Sequence, residues 1–555
     1  MHGGLGTNLG HDLKDLMVIS TSPGVIFKDL LILGSRVSEF GDAAPGHVRA
    51  FDARTGKMRW IFHTVPQPGE FGYDTWPKDA YKFIGGANNW SGLVVDNKRG
   101  AVYFGTGSPS VDFYGGGRHG INLFSDCIMA LNAETGKRIW HFQTIHHDLW
   151  DRDLPNPPNL MTVTHDGKKI DAVAQTTKDG VVYVLDRDSG RPLFPVEERA
   201  VPSEGAVPGE QPSPTQPYPL KPAPFARQFY SESDLPDMSK EAHDFALKRF
   251  KETRSGNKFM PPSKEGTLTF FIGGGAEWGG SATDPDGVIY VNSNEIPWDL
   301  RMTDIETKNK EIASNGKALY MTTCAVCHGP NRKGGGSEFP SLVDIGKRLK
   351  EKEIFTILKT GRGRMPAFQS IPDYKRQAII NFLLNPEGKN QIDPHNMSKE
   401  AKSVKGSNFP YVPPYINNGQ IQFRTPDGYP GIKPPWGTLN AINLNTGEFM
   451  WRIPFGEYPE LKKKGIPTTG TENHGGPVVT ASGLLFIGAT RDEKFRAFDT
   501  KTGKILWEYQ LLAGAFSTPA FYMANNKQYI VVAAGGTKYG LKSGGSYIAF
   551  ALPNE

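Results

Sequence analysis

One eleven-residue pattern recurs along this chain and constrains its fold more than any other feature. It runs Ala-x-Asp/Asn-x-x-Thr-Gly-x-x-x-Trp, and it appears as AFDARTGKMRW ending at Trp60, ALNAETGKRIW at Trp140, AINLNTGEFMW at Trp451 and AFDTKTGKILW at Trp507. A degenerate copy, VLDRDSGRPLF, ends at Phe194. Each copy predicts a strand with alternating apolar residues, a tight turn at Thr-Gly or Ser-Gly, and a second strand closing on an aromatic. The glycine supplies positive φ, and the aromatic offers a flat face for the neighbouring copy.

The copies end 80 residues apart (60 to 140), then 54 (140 to 194), and 56 apart at the far end (451 to 507). Such spacings suit four-stranded blades of a β-propeller with elaborated loops. The 64 Gly and 43 Pro among 555 residues agree with a turn-rich, mostly β chain. Between 194 and 451 lie 257 residues, far too many for one blade, so something is inserted. Repeats of this kind name a fold and leave its chemistry open, since propellers serve as enzymes and as scaffolds.

The insertion announces itself by a change of period. ETKNKEIASNGKALYMTTCAVCH, EKEIFTILKTG and DYKRQAIINFLLN carry helical patterning, with Ile379, Phe382 and Leu383 on one face. The expected organisation is propeller over 1–303, a small all-α module over 304–392 inserted between late blades, and propeller again over 393–555. TQPYPLKPAPFA and the Pro- and Gly-rich segment 405–435 are expected to be ordered loops.

CAVCH, Cys324 to His328, matches the C-x-x-C-H pattern of c-type haem attachment. Two thiols three residues apart reach the two vinyl groups of one haem edge, and the adjacent histidine falls below the ring as proximal ligand. A redox C-x-x-C or half a zinc site shares the spacing, but no second Cys pair completes a zinc ribbon. GRGRMPAF offers Met365 as sixth ligand, and the carbonyl of Pro340 is placed to hold the other nitrogen of His328. The order of helix, CxxCH, Pro-x-Leu, helix, Met-Pro and closing helix resembles a class I cytochrome c. That resemblance implies thioether bonds to Cys324 and Cys327 and haem c on His328 and Met365.

Charge and hydropathy exclude other classes. The 63 basic and 58 acidic residues give +5 without a long basic run, so nucleic acid is not an expected partner. No stretch approaches the ~20 apolar residues of a membrane span. With two of three cysteines in the haem motif, no disulfide framework exists, and Cys127, in FSDCIMAL, reads as a buried inert thiol.

Outside the module, SPGVIFKDLLILGSRVSEFG, GGANNWSGLVVD, HHDLWDRDLP, VYVLDRDSGRPL and the terminal SYIAFALP resemble, in order, the pyrroloquinoline-quinone alcohol and sugar dehydrogenases, closest in wording to the glucose-oxidising branch. The resemblance implies an eight-bladed propeller in the periplasm that oxidises an alcohol or sugar hydroxyl. It makes Asp151 the base that takes the hydroxyl proton. It places Ca²⁺ or Mg²⁺ on Glu39, Ser108 and Asp151, and the quinone on the indole of Trp90 with Lys178 at its oxygens. Asn294 and Asn473 become further cofactor-facing positions. Asp153 matches the extra ligand of lanthanide-using relatives, which the sugar branch also carries, so no lanthanide is expected.

An external acceptor, whether cytochrome, copper protein or quinone pool, would take the electrons. The chain begins without a signal peptide, inside a segment the family places after its first blades. About 466 residues outside the module are short for eight blades, so an N-terminally truncated, incomplete propeller is expected. A non-catalytic scaffold with an electron-relay module, or a decayed site that binds quinone without turnover, are the alternatives.

Overall fold

The structure, a computed structural model, describes residues 16–270, 272–305, 316–334, 340–362, 365, 368, 371, 373–387, 410–418 and 421–552, apart from the side chains at 322, 326, 327 and 374. Two compact units separate, one of residues 1–302, 409–413 and 420–555, the other of 303–408 and 414–419.

The larger unit is a series of antiparallel sheets whose strands pair in chain order. Among the described residues six have blade form. The first holds Val25–Phe27, Leu30–Leu33, Val48–Asp52 and Met58–Phe62, and the second Leu93–Asp96, Ala101–Gly105, Cys127–Asn132 and Arg138–Gln143. The third holds Asn159–His165, Lys168–Thr176 and Val182–Asp186. The fourth combines Ala282–Thr283, Val288–Asn294, Gly437–Asn443 and Glu448–Pro454. The fifth is Val478–Val479, Leu484–Ile487, Lys494–Asp499 and Ile505–Gln510, and the sixth Ala520–Ala524, Lys527–Gly536 and Ser543–Phe550.

The repeat occupies the third and fourth strands, and its fixed residues each have a mechanical role. Asp52 Oδ1 accepts from the backbone N–H of Thr55 at 2.8 Å and from its hydroxyl at 2.8 Å, and Asn132, Asp186 and Asp499 do the same for Thr135, Ser189 and Thr502. These side chains close the turn that the glycine then completes at φ near +70°, 69° at Gly56 and 71° at Gly136.

The tryptophan reaches into the next blade. A Cβ on Gly136 would lie 2.6 Å from the Trp60 ring, one on Gly190 2.6 Å from Trp140 and one on Gly503 2.8 Å from Trp451. The indole N–H groups of Trp60, Trp140 and Trp451 donate to the carbonyls of Ala133, Arg187 and Thr500. Phe194, the degenerate copy's aromatic, meets Gly447 in the same manner, 3.2 Å from its would-be Cβ. The third and fourth blades are therefore consecutive despite the 257 intervening residues. Apolar clusters fill each blade interface, with Ile32, Val48, Val102 and Phe104 between the first two and Leu439, Ala441, Leu485 and Ile487 between the fourth and fifth.

One expectation about the insertion needs correction. Val288–Asn294 pairs directly with Gly437–Asn443, so the chain departs between the second and third strands of a single blade, not between blades. A connection at a sheet end can lengthen without disturbing the pairing, because the register is fixed by the strands themselves. The long gap also holds a helix, Lys240–Lys251, capped by Ser239, whose Oγ accepts from the Ala242 N–H at 3.1 Å. Within the supposed loop TQPYPLKPAPFA, Thr215–Pro219 is a strand paired with Val196–Ala200.

The smaller unit is helical, with Gly316–Thr323, Ala325–His328, Glu351–Thr360 and Asp373–Leu384. Ile379, Phe382 and Leu383 are buried in its core with Leu319, Tyr320, Ile354 and Leu358. Cys127 lies in a central strand of the second blade, fully buried.

Candidate functional site

The residues around one deep cavity of the propeller unit occupy equivalent places in successive blades. Glu39, Ser108, Lys178 and Asn294 follow or end the second strands of the first four blades, while Trp90, Asp153, Glu277 and His474 precede first strands. Strand ends fix these side chains at one edge of the sheets, where loops of different blades converge. The cavity holds about 680 Å³, within the range of cofactor sites.

Asp151, Trp90, Lys178, Glu39, Ser108, Asp153 and Asn294 all line it. Lys178 Nζ donates to Asp151 Oδ1 at 2.7 Å and lies 3.6 Å from Asp153 Oδ2. Asp153 Oδ1 accepts from the Ser108 N–H at 2.6 Å, and its Oδ2 accepts from the Trp90 indole at 3.2 Å. Such an approach requires Gly107, where a Cβ would fall 2.3 Å from Asp153 Oδ1.

The loop carrying Asp151 is built around a neighbour that sequence reading passed over. Asp148 accepts from the backbone N–H of Trp150 and of Arg152, both at 2.7 Å, and from the Ser108 hydroxyl at 2.5 Å. Arg152 anchors the loop by donating to the carbonyls of Phe270 and Lys258. Under these constraints Asp151 adopts φ 58°, a left-handed conformation that a non-glycine residue holds only where its surroundings over-determine it.

The electrostatics are those of a crowded anionic pocket. Burial pushes the Asp151 carboxyl well above its usual range; Lys178 works against this, while Asp153 and Glu39 add to it. Burial and then Asp153 raise Glu39, and burial and then Asp151 raise Asp112, a buried carboxylate absent from the sequence expectations. Burial opposes the charge of Lys178, but Asp151 and Asp153 outweigh it and hold the ammonium protonated. Lys178, with Arg36 acting on Glu39, opposes these shifts without reversing them.

Two expected residues behave otherwise. Asn473 does not line the cavity. Its amide accepts from Asn292 and donates to the carbonyls of Ser293 and Thr471, so a cofactor-facing role for it is corrected to a tie within the wall. Asn294 lines the cavity, yet its Oδ1 accepts from the Asn473 N–H and its Nδ2 donates to the Asn473 carbonyl. The polar residue that does face inward is His474, one position on.

In the helical unit Cys324 and His328 are both buried, and His328 Nδ1 lies 2.9 Å from the Pro340 carbonyl. That contact leaves Nε2 as the ring nitrogen available to a ligand. Met365 packs against the same helical core. The Cys327 side chain lies outside the described residues. Among the described residues no set of three or more His, Cys, Asp or Glu is drawn together at metal-binding distance, and no helix is long and apolar enough to cross a membrane.

Residues 4–329 and 373–530 match the family described as glucose/ethanol/alcohol dehydrogenase, β-propeller domain, and residues 311–383 match cytochrome c oxidase, cbb3-type, subunit III. The chain is similar to the quinoprotein glucose dehydrogenase of Escherichia coli, with 30% identity over 98% of this chain and 59% of that one. The quinate/shikimate dehydrogenase (quinone) of Acinetobacter baylyi is 30% identical over 100% of this chain and 59% of its own length. The chain thus spans about three fifths of these relatives. Among solved structures, the quinohemoprotein alcohol dehydrogenase from Comamonas testosteroni shares the fold, with TM-score 0.55 and 19% identity over 96% of this chain and 60% of that one.

Proposed function

The chain belongs to the glucose/ethanol/alcohol dehydrogenase β-propeller family of pyrroloquinoline-quinone proteins, and from that premise we propose that its cavity oxidises an alcohol or sugar hydroxyl and that the electrons leave through a haem c in the helical unit. The observation that carries this reading is the convergence of Asp151, Lys178, Trp90 and Asp153 on one cavity. When bound, the quinone supplies the acceptor of the electron pair, Ca²⁺ or Mg²⁺ a Lewis acid beside it, and haem c a one-electron carrier.

The residues present fit those groups. Trp90 presents an indole steadied by Asp153 for a flat cofactor, and Lys178 is a fixed cation for its oxygens. Glu39 and Asp151, with Asp112 beside them, are carboxylates that burial and mutual repulsion leave short of positive charge, as hard oxygen donors for a divalent cation would be. The Ser108 hydroxyl gives its proton to Asp148, which leaves its oxygen lone pairs to the cation. In the helical unit Cys324, Cys327, His328 and Met365 would hold the haem.

Asp151 accepts the substrate's hydroxyl proton. A carboxylate whose proton affinity is raised by burial is a stronger base, and Lys178, at 2.7 Å, favours its ionised form. A covalently attached haem and membership of this family support a periplasmic location, with an external electron acceptor.

Replacing Asp151 by Asn in quinone- and Ca²⁺-loaded protein lowers dye-linked oxidation by about 10²–10⁴-fold, while quinone still quenches tryptophan fluorescence. Unchanged oxidation would contradict the assignment and favour a scaffold. A pyridine haemochrome spectrum of c type, lost on Cys324→Ala, checks the helical unit.

A further inference from the structure

Proton abstraction accounts for the part of the cavity built by the first three blades, and leaves the remainder unexplained. From the fourth, fifth and sixth blades come Glu277, His474 and Tyr539, which all line the same cavity. The Tyr539 hydroxyl hydrogen-bonds Nδ1 of His474, and His474 Nε2 lies 3.5 Å from Glu277 Oε1. We propose that these three side chains form a specificity-determining wall that engages further hydroxyls of the substrate, so that the cavity selects a polyhydroxylated compound (aldose, polyol or cyclitol) over a simple alkanol. The inference rests on the dehydrogenase reading above and deepens it.

Tyr539 is held in place before any ligand arrives. It sits in a short turn after the second strand of the sixth blade, where Thr537 has φ 65° and Tyr539 itself φ 60°. The Arg491 guanidinium lies 5.1 Å from the centre of its ring, between Tyr539 and Tyr458, and reaches the Tyr539 carbonyl at 3.5 Å. Arg491 in turn is 3.3 Å from Glu472, a carboxylate buried to 2% exposure and paired with Arg424 at 2.6 Å. A phenol fixed in this way loses little freedom when it binds, and its position is set by groups that no proton transfer requires.

The chemistry of the wall points to hydroxyls. Phenol, imidazole and carboxylate together offer both donors and acceptors, and the His474 and Glu277 side chains are only 11% and 9% exposed. They are largely shielded from bulk water. Aliphatic side chains are few along the cavity: among the described lining residues they are Val37, Ile272 and Ile296. An alkyl chain laid along Glu277, His474 and Tyr539 would strip these polar groups of water without a hydrogen bond in return, and Trp278 beside His474 offers it only one apolar face. A site built to bond a hydroxyl rejects the analogue lacking it by as much as ~10⁴-fold.

The test compares D-glucose, glycerol and myo-inositol with 1-propanol on quinone- and Ca²⁺-loaded protein. The readouts are dye-linked kcat/KM and, on the Asp151→Asn variant, saturation-transfer NMR binding. At least one polyhydroxy compound is expected to exceed 1-propanol about 100-fold or more in kcat/KM. Tyr539→Phe and His474→Ala should each cut that ratio at least tenfold, mainly through KM, with His474→Gln recovering part of the loss. The same variants should weaken polyol binding in the NMR experiment. A ratio that the variants leave unmoved, or a wild type that prefers 1-propanol, overturns the inference while leaving the dehydrogenase reading intact. Polyol binding that Tyr539→Phe weakens tenfold, without dye reduction from any substrate, supports the wall and defeats the dehydrogenase reading. Absence of polyol binding together with absence of turnover overturns both.

Discussion

Both carboxylate oxygens of Asp153 are engaged, one by the Ser108 backbone and the other by the Trp90 indole, with Lys178 close by. A residue placed two positions past the base thus joins three others that the sequence nominated separately. Their residue types were legible because HHDLWDRD, GGANNWSG and TTKDG resemble family segments; Asp112, Asp148, His474 and Tyr539 were not, because their parts depend on which loop faces which. Asn473 shows the converse error, since a polar residue near a cavity can spend its whole amide on the wall. Single residues also set an acid limit. Burial, then Arg49 and His63, depress His47, whose Nδ1 accepts from the Thr64 N–H at 3.1 Å, and burial followed by Arg138 lowers His141 to about 4. Unfolded histidine takes up a proton near 6.5, so the unfolded chain binds more protons below that pH. The share of stability these two histidines contribute should be full above pH 6.5 and decline as pH falls towards 4. Melting temperatures from circular dichroism check this, and His47→Asn should flatten the decline; an unaltered slope would show that His47 does not contribute.

Blades dock through one contact repeated: an aromatic laid over the turn glycine of the next copy. The sequence announced the strand, turn and strand of each copy, but not that Trp60 seats on Gly136 or Phe194 on Gly447, because the partner lies a blade away. Two glycines of the same motif separate backbone strain from this contact. Gly56 has φ 69° and no atom within 4 Å of its would-be Cβ, whereas at Gly136, φ 71°, the Trp60 ring stands 2.6 Å away. Gly56→Ala should cost about 1 kcal/mol, from conformation alone. Gly136→Ala should cost roughly 1–3 kcal/mol more, because Trp60 has to move. Equal losses in urea unfolding would refute the docking role. The helix Lys240–Lys251 went unread for a different reason: it is a single short element without a repeat to announce it, although Ser239 caps it.

At the scale of the whole molecule, two units of different period share one chain, and the change from alternation to helical spacing was readable directly. What the sequence could not reveal is that the departure lies inside a blade, since strands 143 residues apart in sequence, Asn294 and Gly437, pair with each other. The account stands or falls on whether the propeller cavity takes the quinone beside Asp151. The most direct measurement is a crystal structure of the chain grown with pyrroloquinoline quinone and Ca²⁺. It should show planar density against the Trp90 indole within reach of Lys178, with a cation peak touching Glu39 and Asp151. Quinone bound elsewhere, or a cavity that stays free of both groups at saturating concentration, would contradict it.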